Sequence, residues 1–245
     1  MVLRSGRLYA NGCYSSIISF GDSLADTGNL KELALMFGQV FPYFSPPYDE
    51  TFFHEPTGRC SDGCLIIDFL GCSSSYLTIF GSHDEEYDPT TGCFTRLNKF
   101  AEYHNELLQI RLDEIRELHP NVIIIYANYY NAAMQIFRSP DKFGTLHVTN
   151  SINKGSLLIS CSYESGIYIL LGFTNGVLKV CCGGGGPFNY NMSARCGYTS
   201  ATVCDEPNTY ANWDGVHLTE AAYQLIFKSL FQGPCTTPQF SSLCQ

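Results

Sequence analysis

A serine that directly follows a short apolar run is the first residue with evident chemical potential in this 245-residue chain. Residues 15–20 (SSIISF) are predicted to form a buried strand. Gly21 then permits a tight turn, which would bring Ser23 to the carboxyl end of that strand, where α/β sheets bind their ligands. A serine hydroxyl becomes a good nucleophile only when a base removes its proton. Ser23 is therefore a candidate nucleophile that needs a partner base.

Residues 213–217 (WDGVH) offer such a base near the other end of the chain. Asp214 and His217 are three positions apart, so both side chains can lie on the same side of one turn. Asp214 can accept a hydrogen bond from one ring nitrogen of His217, which leaves the other nitrogen basic and facing Ser23. Each motif alone is more often a solvated turn or a helix cap, and only their combination predicts a Ser-His-Asp arrangement.

The elements that must position these groups follow from the hydrophobic pattern. Helices are predicted at residues 30–37, at 97–118, where apolar residues recur at helical spacing, and at 219–231. Pro120 ends the second of them, and residues 122–126 (VIIIY) are predicted to form a strand that is buried on both faces. This order of elements favours an α/β fold with a mostly parallel sheet.

The composition excludes several kinds of partner. The net charge of −9 disfavours nucleic acid and anionic membrane surfaces, because both require a basic patch. No apolar run is long enough to form a transmembrane segment. The first residues, 1–13, contain no apolar segment of the kind found in export signals, so no signal peptide is visible.

Twelve cysteines are typical of a secreted, disulfide-bonded domain, although their pairing cannot be deduced from the sequence. The neighbours Cys60 and Cys64, or Cys181 and Cys182, could suggest a metal site. No second cluster with matching histidine spacing supports that reading, so no metal is expected. Asn191 begins a glycosylation sequon that would matter in a secreted glycoprotein.

Several motifs resemble those of plant GDSL esterases/lipases, in the SGNH hydrolase superfamily. Residues 20–29 (FGDSLADTGN) closely resemble the nucleophile block of that family, and residues 58–69 (GRCSDGCLIIDF) resemble its next segment. Residues 71–143, 181–191 (CCGGGGPFNYN) and 213–223 (WDGVHLTEAAY) resemble later segments, in the family's order. The resemblance covers most of the chain.

The resemblance implies a single domain over 1–245, with the fold of a three-layer α/β/α sandwich around a mostly parallel sheet. It implies Ser23 as nucleophile and, through its backbone amide, as oxyanion donor, with His217 as base and Asp214 as its orienter. The implied reaction is hydrolysis of a small-molecule or lipid carboxylic ester through an acyl-enzyme, without metal or cofactor. Family membership also implies a secreted protein. The identity of the ester and the oligomeric state stay open.

The chain departs from the family in two places that bear on activity. A family segment is missing near 70/71, and with it the GxND motif whose Gly and Asn complete the oxyanion hole; Asn128 lies in a different block and cannot replace them. Residues 145–172 interrupt a continuous family stretch and are predicted to be an insertion, with an unspliced intron as one hypothesis. Because each lost oxyanion donor costs about 2.7–4 kcal/mol, weak or absent activity is expected.

Two alternatives share part of this evidence. A catalytically inactive, truncated family member could act as a binding or structural protein, and it would retain every motif described above. A disulfide-rich structural or interaction protein of another class would also account for the cysteines. It would leave the nucleophile block and the Asp214–His217 pair unexplained.

Overall fold

The computed structural model describes residues 26, 28–51, 53–62, 71–82, 86–140 and 172–242. The predicted strand at 15–20, the nucleophile Ser23 and all but the last residue of the predicted insertion at 145–172 lie outside these ranges. The junction near 70/71 is described only from residue 71 onward. Predictions that concern those residues therefore stay predictions.

Five α-helices are found in the described ranges: α1 (Asn29–Met36), α2 (Ser74–Phe80), α3 (Thr95–Leu118), α4 (Tyr129–Arg138) and α5 (Glu220–Phe231). Helices α1, α3 and α5 confirm the three helices expected from the sequence, to within two residues at each end. The predicted N-cap of α5 is also confirmed, because Thr219 Oγ1 accepts a hydrogen bond from the Ala222 amide at 3.3 Å. This cap fixes where the chain turns into a helix directly after His217.

Helices α4 and α5 pack against each other and form the main hydrophobic core. The side chains that are almost completely buried between them and their neighbours are Met134, Ile136, Phe137, Ala222 and Ile226. The disulfide between Cys72 and Cys93 belongs to the same core. Burial of this kind contributes about 1.5–3 kcal/mol for each large apolar side chain. This packing holds α5 in place, and with it the position of the residues that precede α5.

Strands are short and antiparallel wherever they occur in the described ranges. Strand β1 (Tyr126–Ala127) pairs with β4 (Thr236–Thr237), and β2 (Cys182–Gly183) pairs with β3 (Thr202–Val203). The one parallel pairing seen there is an isolated bridge between Val180 and Asn212. The mostly parallel sheet expected from the sequence is thus not observed in this part of the chain.

The predicted strand at 122–126 is wrong for most of its length. Only Tyr126 belongs to a strand, while Val122 and Ile123 are 57% and 65% exposed. The carbonyl of Ile124 accepts hydrogen bonds from the side chain of Arg116 instead of from a neighbouring strand. A β-branched run becomes a buried strand only where other strands pair with its backbone, and here that pairing begins at Tyr126.

Helix α3 is present as predicted, but most of its apolar residues are exposed. Phe100, Tyr103 and Ile110 are each more than half exposed, and of the helix residues only Asn98 is buried. An apolar stripe shows which face of a helix could be buried. That face is buried only where another element of the fold packs against it. None of the described helices, α3 included, combines the length and apolarity that crossing a membrane requires.

Candidate active site

The turn that joins Asp214 to His217 brings the two predicted side chains into direct contact. Asp214 Oδ2 lies 2.7 Å from His217 Nδ1, and the two side chains are only 9% and 10% exposed. The other carboxylate oxygen, Oδ1, accepts hydrogen bonds from the backbone amides of Val216 at 3.0 Å and His217 at 2.9 Å. One carboxylate therefore closes the turn and orients the imidazole at the same time.

The charge on Asp214 is maintained despite its burial. Burial alone would raise the pKa of the Asp214 carboxyl, but the charge of His217 and the hydrogen bonds from His217 and Val216 outweigh it, so the pKa is lowered. An ionised carboxylate only accepts hydrogen bonds, which assigns the proton on the facing ring nitrogen to Nδ1. His217 Nε2 is then the ring nitrogen that can take a proton from a nucleophile.

The backbone on either side of the turn is held by hydrogen bonds. Trp213 and His217 bond to each other, and a cysteine-rich segment that begins at Cys181 bonds to the residues before Asp214. The amide of Trp213 donates to the carbonyl of His217 at 2.9 Å. The amides of Cys181 and Cys182 donate to the carbonyls of Asn212 and Trp213 at 3.0 and 2.8 Å. The backbone leading into Asp214 is thus held at both edges.

Disulfides fasten that cysteine-rich segment in place. Cys181 pairs with Cys204 and Cys182 pairs with Cys196, which gives two adjacent bridges directly behind the turn. The sequence indicated disulfides but not these pairs. In the part of the chain that the structure describes, no group of three or more His, Cys, Asp or Glu side chains could hold a metal ion.

A further anchor comes from residues 61 and 62, which lie in the motif at residues 58–69 but were assigned no role there. Ser61 Oγ donates to the carbonyl of Leu218 at 3.2 Å, and Asp62 Oδ1 accepts from the amide of Glu220 at 2.8 Å. Asp62 Oδ2 accepts a second bond from Thr51 at 2.8 Å. The buried Asp62 carboxylate thus satisfies a backbone donor in the first turn of α5.

Two serines at the start of α2 hold the turn from another direction. Ser73 Oγ donates to the carbonyl of Gly215 at 2.7 Å, and the Ser75 amide donates to the same oxygen at 3.0 Å. Tyr48 completes the surroundings, because its hydroxyl lies 3.0 Å from Asp214 Oδ2. The sequence motifs did not single out Tyr48, because its partner is distant along the chain.

Gly215 is required by the shape of the turn. Its φ of 100° lies in the left-handed region, and a Cβ at this position would collide with the ring of Tyr190. We expect Gly215→Ala to lower the free energy of unfolding, as measured with urea. The backbone strain should contribute about 1–3 kcal/mol to this loss, and the collision with the ring should add to it. The Asp214–His217 contact should be disturbed with it.

Gly176→Ala is the matched control for that substitution. Gly176 has a similar φ of 96°, but nothing lies within 4 Å of a Cβ built there. It should therefore show the backbone cost without the collision. Equal losses of stability in the two variants would contradict the role assigned to the ring of Tyr190.

Glu220 gives the site region a specific dependence on pH. Burial and the nearby charge of Asp62 raise the pKa of Glu220 to about 7. Because this value lies above that of the unfolded chain, the folded protein binds more protons between the two values, and its stability falls as pH rises through that window. Glu220→Gln should remove this loss and stabilise the protein at pH 8 by about 2–3 kcal/mol relative to its parent.

Urea unfolding at pH 5 and pH 8 measures this difference directly. The exposed Glu106 on α3 supplies the control substitution Glu106→Gln. A Glu220→Gln protein whose stability changes with pH as steeply as that of its parent would rule out Glu220 as the source.

The chain is similar in sequence to plant proteins that are named GDSL esterase/lipase. GDSL esterase/lipase At1g28610 of Arabidopsis thaliana is 43% identical over 176 residues, which cover 71% of this chain and 39% of that relative. GDSL esterase/lipase At1g28590 of Arabidopsis thaliana is 31% identical over 373 aligned positions, which cover 94% of this chain and 85% of the relative. No protein-family profile matches the chain, and no solved structure matches it.

The second alignment extends over more positions than the 245 residues of the chain, so this relative carries residues that have no counterpart here. GDSL esterase/lipase At1g31550 of Arabidopsis thaliana shows the same relation, with 29% identity over 371 positions and 94% of this chain. The matches extend across nearly the whole chain, as the resemblance of the separate motifs implied. The chain belongs to the plant GDSL esterase/lipase family.

Proposed function

We propose that this chain hydrolyses carboxylic esters through an acyl-enzyme, with Ser23 as nucleophile, His217 as base and Asp214 as its orienter. The observation that carries the proposal is the buried hydrogen bond of 2.7 Å between His217 Nδ1 and Asp214 Oδ2, in a member of a family named for ester hydrolysis. Ser23 is assigned by the resemblance of its block to the family's nucleophile block.

The steps follow from the roles of the three side chains. Ser23 Oγ attacks the ester carbonyl carbon while His217 Nε2 takes the hydroxyl proton. The same proton passes to the leaving alcohol as the ester bond breaks, and an acyl group remains on Ser23. Water then attacks that acyl group with His217 again as base, which releases the acid and restores the serine. Asp214 stays ionised throughout and stabilises the imidazolium.

The surrounding architecture is proposed on the same basis. Family membership supports a three-layer α/β/α sandwich with a parallel sheet, as one domain over 1–245. The long alignments support a missing segment, which we place near 70/71, and the broken family stretch supports an insertion at 145–172. Three disulfides among the described cysteines support an oxidising compartment and hence a secreted protein.

We propose that the activity is low because the oxyanion hole is incomplete. The backbone amide of Ser23 is its one assigned donor, and the family's GxND motif does not occur in the chain. The side chain of Asn128 is engaged elsewhere, since it accepts a hydrogen bond from the Asn131 amide and caps α4. Each absent donor lowers the rate by about 10²–10³, so hydrolysis should be slow but measurable.

Labelling with a fluorophosphonate probe tests the proposal without requiring rapid turnover. Intact-mass and peptide analysis should locate one adduct on Ser23, and a short-chain p-nitrophenyl ester should be hydrolysed slowly. Ser23→Ala should abolish both signals, whereas Ser200→Ala, at an exposed serine, should change neither. A chain that unfolds cooperatively yet never reacts with the probe would instead be an inactive member with a binding or structural role.

A further inference from the structure

Tyr48 reaches the candidate site from a segment that is distant in sequence. Its hydroxyl lies 3.0 Å from Asp214 Oδ2, the same oxygen that accepts the hydrogen bond from His217 Nδ1 at 2.7 Å. The other oxygen, Oδ1, is occupied by two backbone amides. Two side chains, Tyr48 and His217, therefore share one oxygen of Asp214.

The ring of Tyr48 is fixed by packing. It is 3% exposed and lies edge-to-face against Trp213 at 6.0 Å and against Tyr43 at 6.2 Å between ring centroids. Both disulfides behind the turn contribute cysteines to the same buried cluster. These packing contacts hold the ring without involving its hydroxyl. The packing therefore fixes the position from which the hydroxyl contacts Asp214.

The hydroxyl is the donor in this contact. Burial and the charge of Asp214 raise the pKa of Tyr48 well above its usual value, so the phenol keeps its proton. A protonated phenol beside an ionised carboxylate must donate. Other titratable groups also act on Tyr48 or on Asp214 from several segments of the chain: Tyr43, Cys60, Tyr190, Arg195 and Tyr223.

We propose that Tyr48 is a positioning residue that fixes the Asp214 carboxylate and limits how strongly its Oδ2 binds the imidazolium of His217. A donor on Oδ2 withdraws electron density from the oxygen that faces Nδ1. Asp214 then holds the proton of His217 less tightly, so the base releases it more readily to the leaving alcohol. This role rests on the proposed function, but the geometry that supports it does not depend on Ser23.

Tyr48→Phe tests the role by removing one oxygen from a fixed ring. The titration of the His217 ring, followed by NMR and assigned with a His217→Asn protein, should move to higher pH by about half a unit, roughly a threefold change in proton affinity. Tyr43→Phe is the matched control, since Tyr43 packs on Tyr48 in the same cluster. An unchanged titration, or an equal change in the control, would overturn the proposal.

A second variant covers the case in which Tyr48→Phe does not fold. Site-specific 3-fluorotyrosine at position 48 keeps the ring and the hydroxyl but makes the hydroxyl a stronger donor, so the titration of His217 should move to lower pH. Movement to higher pH, or none, would contradict the role. Both titrations are independent of turnover. If the shifts are seen but Ser23 is never labelled, the proposed function is contradicted and the role of Tyr48 stands. If Ser23 is labelled but the shifts are not seen, only the role of Tyr48 is contradicted.

Discussion

Asp214→Asn should lower the rate at which Ser23 reacts with a fluorophosphonate probe by about 10⁴. The two backbone amides that donate to Oδ1 oblige the amide oxygen of the new side chain to take that position. Its NH₂ group then occupies the position of Oδ2, 2.7 Å from His217 Nδ1. A donor at this place forces Nδ1 to accept, so the ring proton moves to Nε2 and the base is lost.

Two measurements separate this explanation from simple damage to the turn. The ¹⁵N shifts of the His217 ring should show the proton on Nε2 in the variant and on Nδ1 in the parent. The unfolding midpoint should change little, because the geometry of the turn is retained. Asp205→Asn, at an exposed position, is the control. A variant that keeps the Nδ1 proton, or that reacts within tenfold of the parent rate, would refute the assignment of Asp214 as the orienter.

Removal of the two disulfides behind the turn should have the largest effect on stability. The bridges Cys181–Cys204 and Cys182–Cys196 close segments with sequence separations of 23 and 14 residues. Loops of this size correspond to about 3 kcal/mol each when the unfolded chain is freed of the link. Since whole domains are stable by about 5–15 kcal/mol, replacing all four cysteines by serine should leave the fold marginal.

Urea unfolding of the two single-bridge variants and of the double variant measures these contributions. Labelling of Ser23 should fall with stability, because the amides of Cys181 and Cys182 hold the backbone of Asn212 and Trp213, which lead into Asp214. Cys235→Ser controls for the loss of a buried sulfur, since this cysteine forms no disulfide. If the single-bridge variants are as stable as the parent, the disulfides do not contribute to the stability of the turn.

The sequence was sufficient for the parts of the site whose partners are close along the chain. Asp214 and His217 are three residues apart, so a single turn of the backbone can bring their side chains into contact, and this contact is observed. The helices at 30–37, 97–118 and 219–231 were likewise predictable from local periodicity and capping. What these features share is that the information lies within a few residues.

The features that sequence reasoning missed depend on distant partners. Tyr48, Asp62 and Ser73 bond to the turn or to a residue that follows it, more than 140 positions away, and no local pattern predicts those contacts. The strand expected at 122–126 failed for the same reason, since pairing requires neighbours that only the folded chain supplies. Ser23 lies outside the described residues, so its distance from His217 stays a prediction.

The anchors of the Asp214–His217 turn also indicate which deletions in the chain would leave that turn intact. Asp62 and Ser73 lie on opposite sides of the junction where we propose that a family segment is missing, and both still bond to the turn or to the residues that follow it. Loop-closure entropy depends only weakly on the length of the intervening chain. A deletion confined between the two anchors would therefore leave the contact between Asp214 and His217 in its framework, whatever other residues it removed.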